Sequence, residues 1–414
     1  MKQTPIKRSN FWLAIVIIIL SLSCRDQGSR SALPTAPLES YIEAELFRLE
    51  VAYRLLDRYS EELWPDWRDY VDIPVKVNFP NGVVLLVTPR PGGQRGFERI
   101  AGRAISGKAV YINRQNRASA EIHPPLFAGR GRGGELIELE MGQPDLPSLE
   151  AERSAALEAR LKDKSRPEAP FDLAPLGDSD SHILMYVHEH FHGHRARFGS
   201  LDVGILRDSD INAEYAAWSH VEGLALRRAY LESQDAAARE FLKDFVVARE
   251  IKRAPLPPVA ATAESTVSLI EGTATYVSLR AALLLRDSGD KPGLDRAKDP
   301  FFYNYAYVDG YVDNIMRKGL DFAVSLTQDK QGKYYLYGAY QCFLLDRFAP
   351  GWKRGFLEKK KSLDTVMTDL LKLSAGEKED IKQRLSTRYA YDEILAFHEN
   401  ALKGKKNPKR FHLP

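Results

Sequence analysis

Cysteine is almost absent: the chain has two, Cys24 and Cys342, in 414 residues. An intramolecular disulfide framework is excluded once Cys24 is assigned to another role, as it is below. Cys342 lies in an apolar run, YQCFLLDRF, and reads as a small buried hydrophobe rather than a nucleophile. Net charge is also nearly absent, with 59 Lys and Arg against 56 Asp and Glu, or +3. That balance gives no pull toward nucleic acid or an acidic polymer. The basic clusters Lys359–Lys361 and KGKKNPKR lack interleaved aromatics and read as solvated faces. There is no internal repeat, no G-x-S-x-G elbow and no Ser-His-Asp set, so a serine hydrolase is not supported. The Gly/Arg stretch FAGRGRGGE lacks the Lys-Ser/Thr ending of a phosphate-binding loop. No apolar run is long enough for a comfortable membrane-spanning helix.

One short apolar run does stand out, from Phe11 to Leu22. Lys2, Lys7 and Arg8 precede it, and Ser23 and Cys24 follow. A basic segment, a short apolar core and a small residue make an export signal. LSLSC resembles the lipobox of bacterial lipoproteins, with Ser21 where Leu is usual. The resemblance implies lipidation at Cys24 and a membrane-anchored protein of the bacterial cell envelope. Residues 1–23 are then the signal peptide and 24–38 a polar linker.

Apolar residues make up 44% and charged residues 28%, which is globular composition at a length that suits two subdomains. Ile42, Leu46, Leu49, Ala52 and Leu55 repeat at helical spacing. IPVKVNF, GVVLLVT and KAVYINR are short β-rich runs broken by PNG and RPGG. Residues 39–141 therefore read as an N-terminal helix plus a small sheet, and 142–178 as a surface excursion. Residues 179–414 read as helical, with helices at about 209–233, 235–252, 258–287, 301–321, 334–348 and 376–403. The fold class is α+β: a small sheet subdomain, then a predominantly helical region.

The chemistry concentrates in SDSHILMYVHEHFHGHRARFG, which holds five of the nine histidines. His188-Glu189-His190-Phe191-His192 is an H-E-x-x-H motif. On a helix His188 and His192 are offset by about 40° around the axis and can grip one zinc ion together. Glu189 is rotated by about 100° and falls beside the metal, placed to take a proton from metal-bound water. Ile183, Leu184, Val187 and Phe191 provide a buried side. His190 and His194 project from the opposite side, about 200° away, and are expected to be exposed or to support the site. His182, at the helix start, is expected to be exposed.

The chain here resembles the zincin metallopeptidases, whose sheet precedes an H-E-x-x-H helix and whose edge strand lines the substrate cleft. In the gluzincin branch a Glu on a second helix completes the zinc shell, often within E-G-x-A-x-Y. EGTATY, Glu271 to Tyr276, matches that pattern, and EGLAL from Glu222 matches in part. The resemblance implies Glu271 as third ligand, with Glu214 and Glu222 as alternatives, and Glu264 as a possible support for a ligating histidine. YLYGA, Tyr335 to Ala339, looks like a Tyr-x-x-Gly-Ala stretch of similar envelope proteins, and Tyr335 is the candidate oxyanion donor. The expectation is a zinc-dependent peptidase acting on a peptide or protein substrate, with Zn2+ as cofactor and no nucleic-acid partner. The competing expectation is a non-catalytic envelope lipoprotein that binds metal or a partner through the same helix.

Overall fold

In the computed structural model, residues 38–79, 82–89, 95–114, 126–127, 136–142, 179–199, 206–288, 298–299 and 332–403 are described. The signal peptide, Cys24, most of the linker and of the excursion, and the helix expected at 301–321 lie outside these residues. The architecture is α+β, as the sequence implies. The chain forms two units, Met1–Arg197 with Val277–Ile315, and Phe198–Tyr276 with Met316–Pro414. The histidine helix thus groups with the sheet, not with the helices that follow it.

The first unit begins with α1, Leu38–Leu63, followed by a 3-10 turn at Asp69–Asp72. Six strands follow: β1 (Val75–Asn78), β2 (Val83–Thr88), β3 (Glu98–Ile105), β4 (Lys108–Arg114), β5 (Leu126–Phe127) and β6 (Ile137–Gly142). Their order in the sheet is β3-β4-β2-β1-β6-β5. β1 and β6 run parallel, and the other pairs antiparallel. Register builds one apolar face from two cross-strand rows. Val110, Val87, Val75 and Ile137 form one row, and Ile112, Leu85, Val77 and Leu139 the other. All eight are buried. Ser106 and Gly107 both take positive φ, 45° and 76°, the backbone that a two-residue hairpin between β3 and β4 requires.

Lys108 points to the same face as Val110, and its Nζ lies 3.9 Å from the centre of the Tyr53 ring on α1. That is therefore the face α1 covers. α1 also packs on α2, the histidine helix Ser179–Ala196, and α2 meets the 3-10 turn and β6. Trp64 and Trp67 close on Phe191 of α2 with ring centres 4.8 and 5.2 Å away.

The second unit is helical. It contains α3 (Ala213–Leu231), α4 (Asp235–Arg253), α5 (Pro258–Val267), a π-helical turn (Ser268–Gly272) and α6 (Thr273–Ser288), which runs past the division at Tyr276. Then come α7 (Gly332–Phe348), α8 (Leu363–Leu371), α9 (Ala375–Arg388) and α10 (Tyr391–Leu402). The single helix expected over 376–403 is two helices, because Ala390 turns the chain with φ 49°. The helix expected over 258–287 is interrupted by the π turn. There the Thr273 hydroxyl donates to the Leu269 carbonyl at 2.6 Å, the acceptor that the Thr273 amide would use in an α-helix.

The interior of this unit carries charge. Lys252 and Arg249 of α4 both pair with Glu222 of α3. Lys252 and Arg253 also reach Glu264 of α5, at 3.0 and 2.7 Å. Asp364, in the first turn of α8, takes Arg249 and Arg253 together with the Ser265 hydroxyl and the Gln341 amide. Lys252, Arg249 and Arg253 are thus each paired with a carboxylate, as buried charges must be.

Candidate metal centre

Every described position of α2 from His182 to His194 is buried. A helix enclosed on all sides has no solvent face to offer its polar residues. The expectation that His182 is exposed is therefore corrected, as is that of exposure for His190 and His194. Each of the five histidines is instead placed by a specific contact.

His188 and His192 stand one turn apart, with their Nε2 atoms 3.0 Å from each other and their rings at 78°. Two imidazoles on one tetrahedral zinc, each at about 2.05 Å, hold their nitrogens about 3.3 Å apart. The pair fits that ion without a change of helix geometry. One carboxylate oxygen of Glu189 and one ring nitrogen of each histidine lie within 4.8 Å of one another. Among the described residues, no other group of three His, Cys, Asp or Glu side chains converges in this way.

The remaining histidines hold the helix. His182 Nδ1 lies 3.1 Å from Glu45 of α1, and the Tyr186 hydroxyl donates to the same carboxylate at 2.6 Å. His190 Nδ1 donates to the Tyr186 carbonyl at 2.6 Å, and its ring meets the Tyr53 ring edge-on at 5.0 Å. Burial pushes the His190 pKa down to about 4, so this ring is neutral near pH 7. His194 Nδ1 lies 2.8 Å from Asp69, whose other oxygen pairs with Arg197 at 2.9 Å.

Glu45, Arg48 and Asp69 are the residues that sequence reasoning missed. Glu45 and Arg48 stand three apart on α1 and pair at 3.0 Å. The available signal was that Glu45 and Arg48 fall among Tyr41, Ile42, Ala44 and Leu49 on the apolar side of this helix, away from the polar stripe of Glu43, Glu50, Arg54 and Asp57. Burial alone would raise the Glu45 pKa. The charges of His182 and Arg48, with hydrogen bonds from His182 and Tyr186, outweigh it and hold the pKa at about 2.

The carboxylates considered as third ligand all belong to the second unit, as does Tyr335. Glu222 is enclosed, and Lys252 and Arg249 take its two oxygens. Glu264 is enclosed as well and serves Lys252, Arg253, Tyr215 and Tyr334 rather than an imidazole. Glu214 is exposed in the first turn of α3. Glu271 is half-buried and sits in the π turn. A π turn holds an extra residue, so Glu271 leaves the face of Glu264 that a seven-residue α-helical spacing gives.

Gly272 meets Gly338 of α7 so closely that a Cβ on Gly272 would lie 2.5 Å from the Gly338 Cα. Gly272 of EGTATY and Gly338 of YLYGA thus form one tight helix approach. Tyr276 closes the same packing by donating to Asp346 at 2.5 Å. Tyr335, three residues before Gly338, is buried to within 9%. Compared with known proteins, the chain matches no family model, no curated protein and no solved structure.

Proposed function

We propose that this chain is a zinc-dependent peptidase, exported and tethered to a bacterial envelope membrane by a lipid on Cys24. The observation that carries the peptidase reading is the convergence of a ring nitrogen each of His188 and His192 with the Glu189 carboxylate on a buried helix. The tether rests on the N-terminal sequence alone.

In this reading His188 and His192 hold the zinc, and Glu271 is the third ligand. The π turn supports Glu271, since such turns re-aim side chains and often occur at functional sites. The pairing of Glu222 with two cations argues against it as the alternative. A bound zinc supplies a Lewis acid and brings the pKa of a coordinated water toward 7. Glu189 accepts the proton of the attacking water and delivers it to the leaving amine. Its position next to the nitrogen pair, rather than across the helix from it, suits that transfer. Tyr335 donates to the oxygen that develops negative charge. The enclosure of the three side chains lowers the local dielectric and strengthens each of these interactions.

The test is a cleavage screen over a peptide library, with and without a zinc chelator. Chelator-sensitive cleavage that returns on adding zinc is expected. Zinc binding without cleavage of any peptide would favour a metal- or partner-binding envelope protein instead.

A further inference from the structure

The histidine helix carries two polar ridges. His188 and His192 form one. His182, Tyr186, His190 and His194 form the other, each four residues after the last. On a helix the step from Tyr186 to His188 is about 200°, so the ridges lie on opposite sides. The second ridge ends on two carboxylates from outside the helix. Glu45 of α1 takes Tyr186 and His182, and Asp69 of the 3-10 turn takes His194.

Each carboxylate is itself held. Arg48 donates to Glu45 at 3.0 Å and forks onto Asp299 at 2.8 and 3.1 Å. Arg197, one turn from Asp69's histidine, occupies the other Asp69 oxygen. Glu45, Arg48, His182, Tyr186 and Asp299 are all buried.

We infer that Glu45 and Asp69 are positioning residues that set the rotation of the helix about its axis, and with it the direction in which His188 and His192 present a bound metal ion to ligands from outside the helix. Apolar packing fixes a helix poorly against rotation, because Leu, Val and Phe contacts are non-directional. Directed hydrogen bonds at the two ends of a ridge resist it. Imidazole nitrogens stand about 6 Å from the axis, so a 20° rotation moves them by about 2 Å. That displacement is as large as a zinc–nitrogen bond. The inference rests on the metal reading above and extends it to residues that touch no metal.

The experiment measures zinc affinity by competition with a chromophoric chelator, on the full chain, well below the unfolding temperature. The variants are Glu45→Gln and Tyr186→Phe, with Glu62→Gln, an exposed α1 carboxylate, as control. Circular dichroism checks that each is folded. The wild type and Glu62→Gln are expected to bind alike. Glu45→Gln and Tyr186→Phe are expected to bind at least about tenfold more weakly, the scale of lost support behind metal ligands. A purely structural role would lower the melting temperature and leave the affinity of the folded protein unchanged. Should Glu45→Gln fail to fold, Tyr186→Phe, which removes only a hydroxyl, decides alone. Wild-type affinity in the folded variants overturns the inference while the metal reading stands. Absence of zinc binding by the wild type overturns both.

Discussion

His220 Nδ1 lies 3.3 Å from His398 Nε2, joining the first helix of the second unit to its last. Both rings are buried. Burial, and then the neighbouring His398, pushes the His220 pKa down to about 3; burial, and then Lys333, pushes that of His398 down to about 4. Both folded values lie below the usual 6.5, so the folded protein keeps two neutral rings while the unfolded chain takes up protons. The stability these rings contribute is present above pH 6.5 and is lost as pH falls toward 4 and below. A loss on the order of 3 kcal/mol from each ring, or about 6 kcal/mol from the pair, is expected between pH 7 and pH 4. Urea unfolding across this range, compared with His398→Gln, checks it. The acid slope should be smaller in the variant, and an unchanged slope would assign it to other groups.

Gly272 and Gly338 let two helix backbones meet where no side chain fits. Gly272→Ala forces a methyl group against the Gly338 backbone, which cannot rotate away as a side chain can. A loss of at least about 2 kcal/mol is expected. Gly376→Ala, a helical position where the added methyl meets open space, is the control and should stabilise by about 0.4–1 kcal/mol rather than destabilise. Denaturant midpoints for the two variants give the comparison.

Zinc content locates the third ligand. Glu271→Ala should lose most of its bound zinc after dialysis against a weak chelator, while Glu214→Ala should keep it, each being folded by circular dichroism. Elemental analysis per chain supplies the numbers. Full retention in Glu271→Ala with loss in Glu214→Ala would move the ligand to α3.

Cys24→Ser should abolish lipid attachment, because the thiol is the acylation site. Labelling with a fatty-acid analogue followed by membrane fractionation reports this. An unlabelled wild type would remove the lipid tether from the account and leave the metal reading as it stands.

Part of this architecture was readable from residue types. β1, β2 and β4 alternate or run apolar between turn signals, and each is a strand. β3, ERIAGRAI, escaped because it is an exposed edge strand with Gly102 inside it and no buried alternation to show its period. The break at Ala390 was hidden because alanine gives no turn signal, although it adopts a left-handed φ there. H-E-x-x-H was legible from spacing alone, since residues four apart must share a helix face. The fate of the other histidines was not. A helical wheel assumes one solvent side, and α2 has none among its described positions from 182 to 194. Glu45 and Asp69 could not be linked to this helix by spacing, being 137 and 125 residues from His182 and His194.

The central claim is that Glu189 moves a proton in a reaction that His188 and His192 make possible by holding zinc. Bound zinc and peptide hydrolysis, measured together on wild type and Glu189→Gln, test it most directly. The amide is close in shape to the carboxylate but cannot act as the base, so zinc per chain should match the wild type while hydrolysis falls by about 10²–10⁴-fold. Equal turnover by a zinc-loaded Glu189→Gln variant would contradict the account.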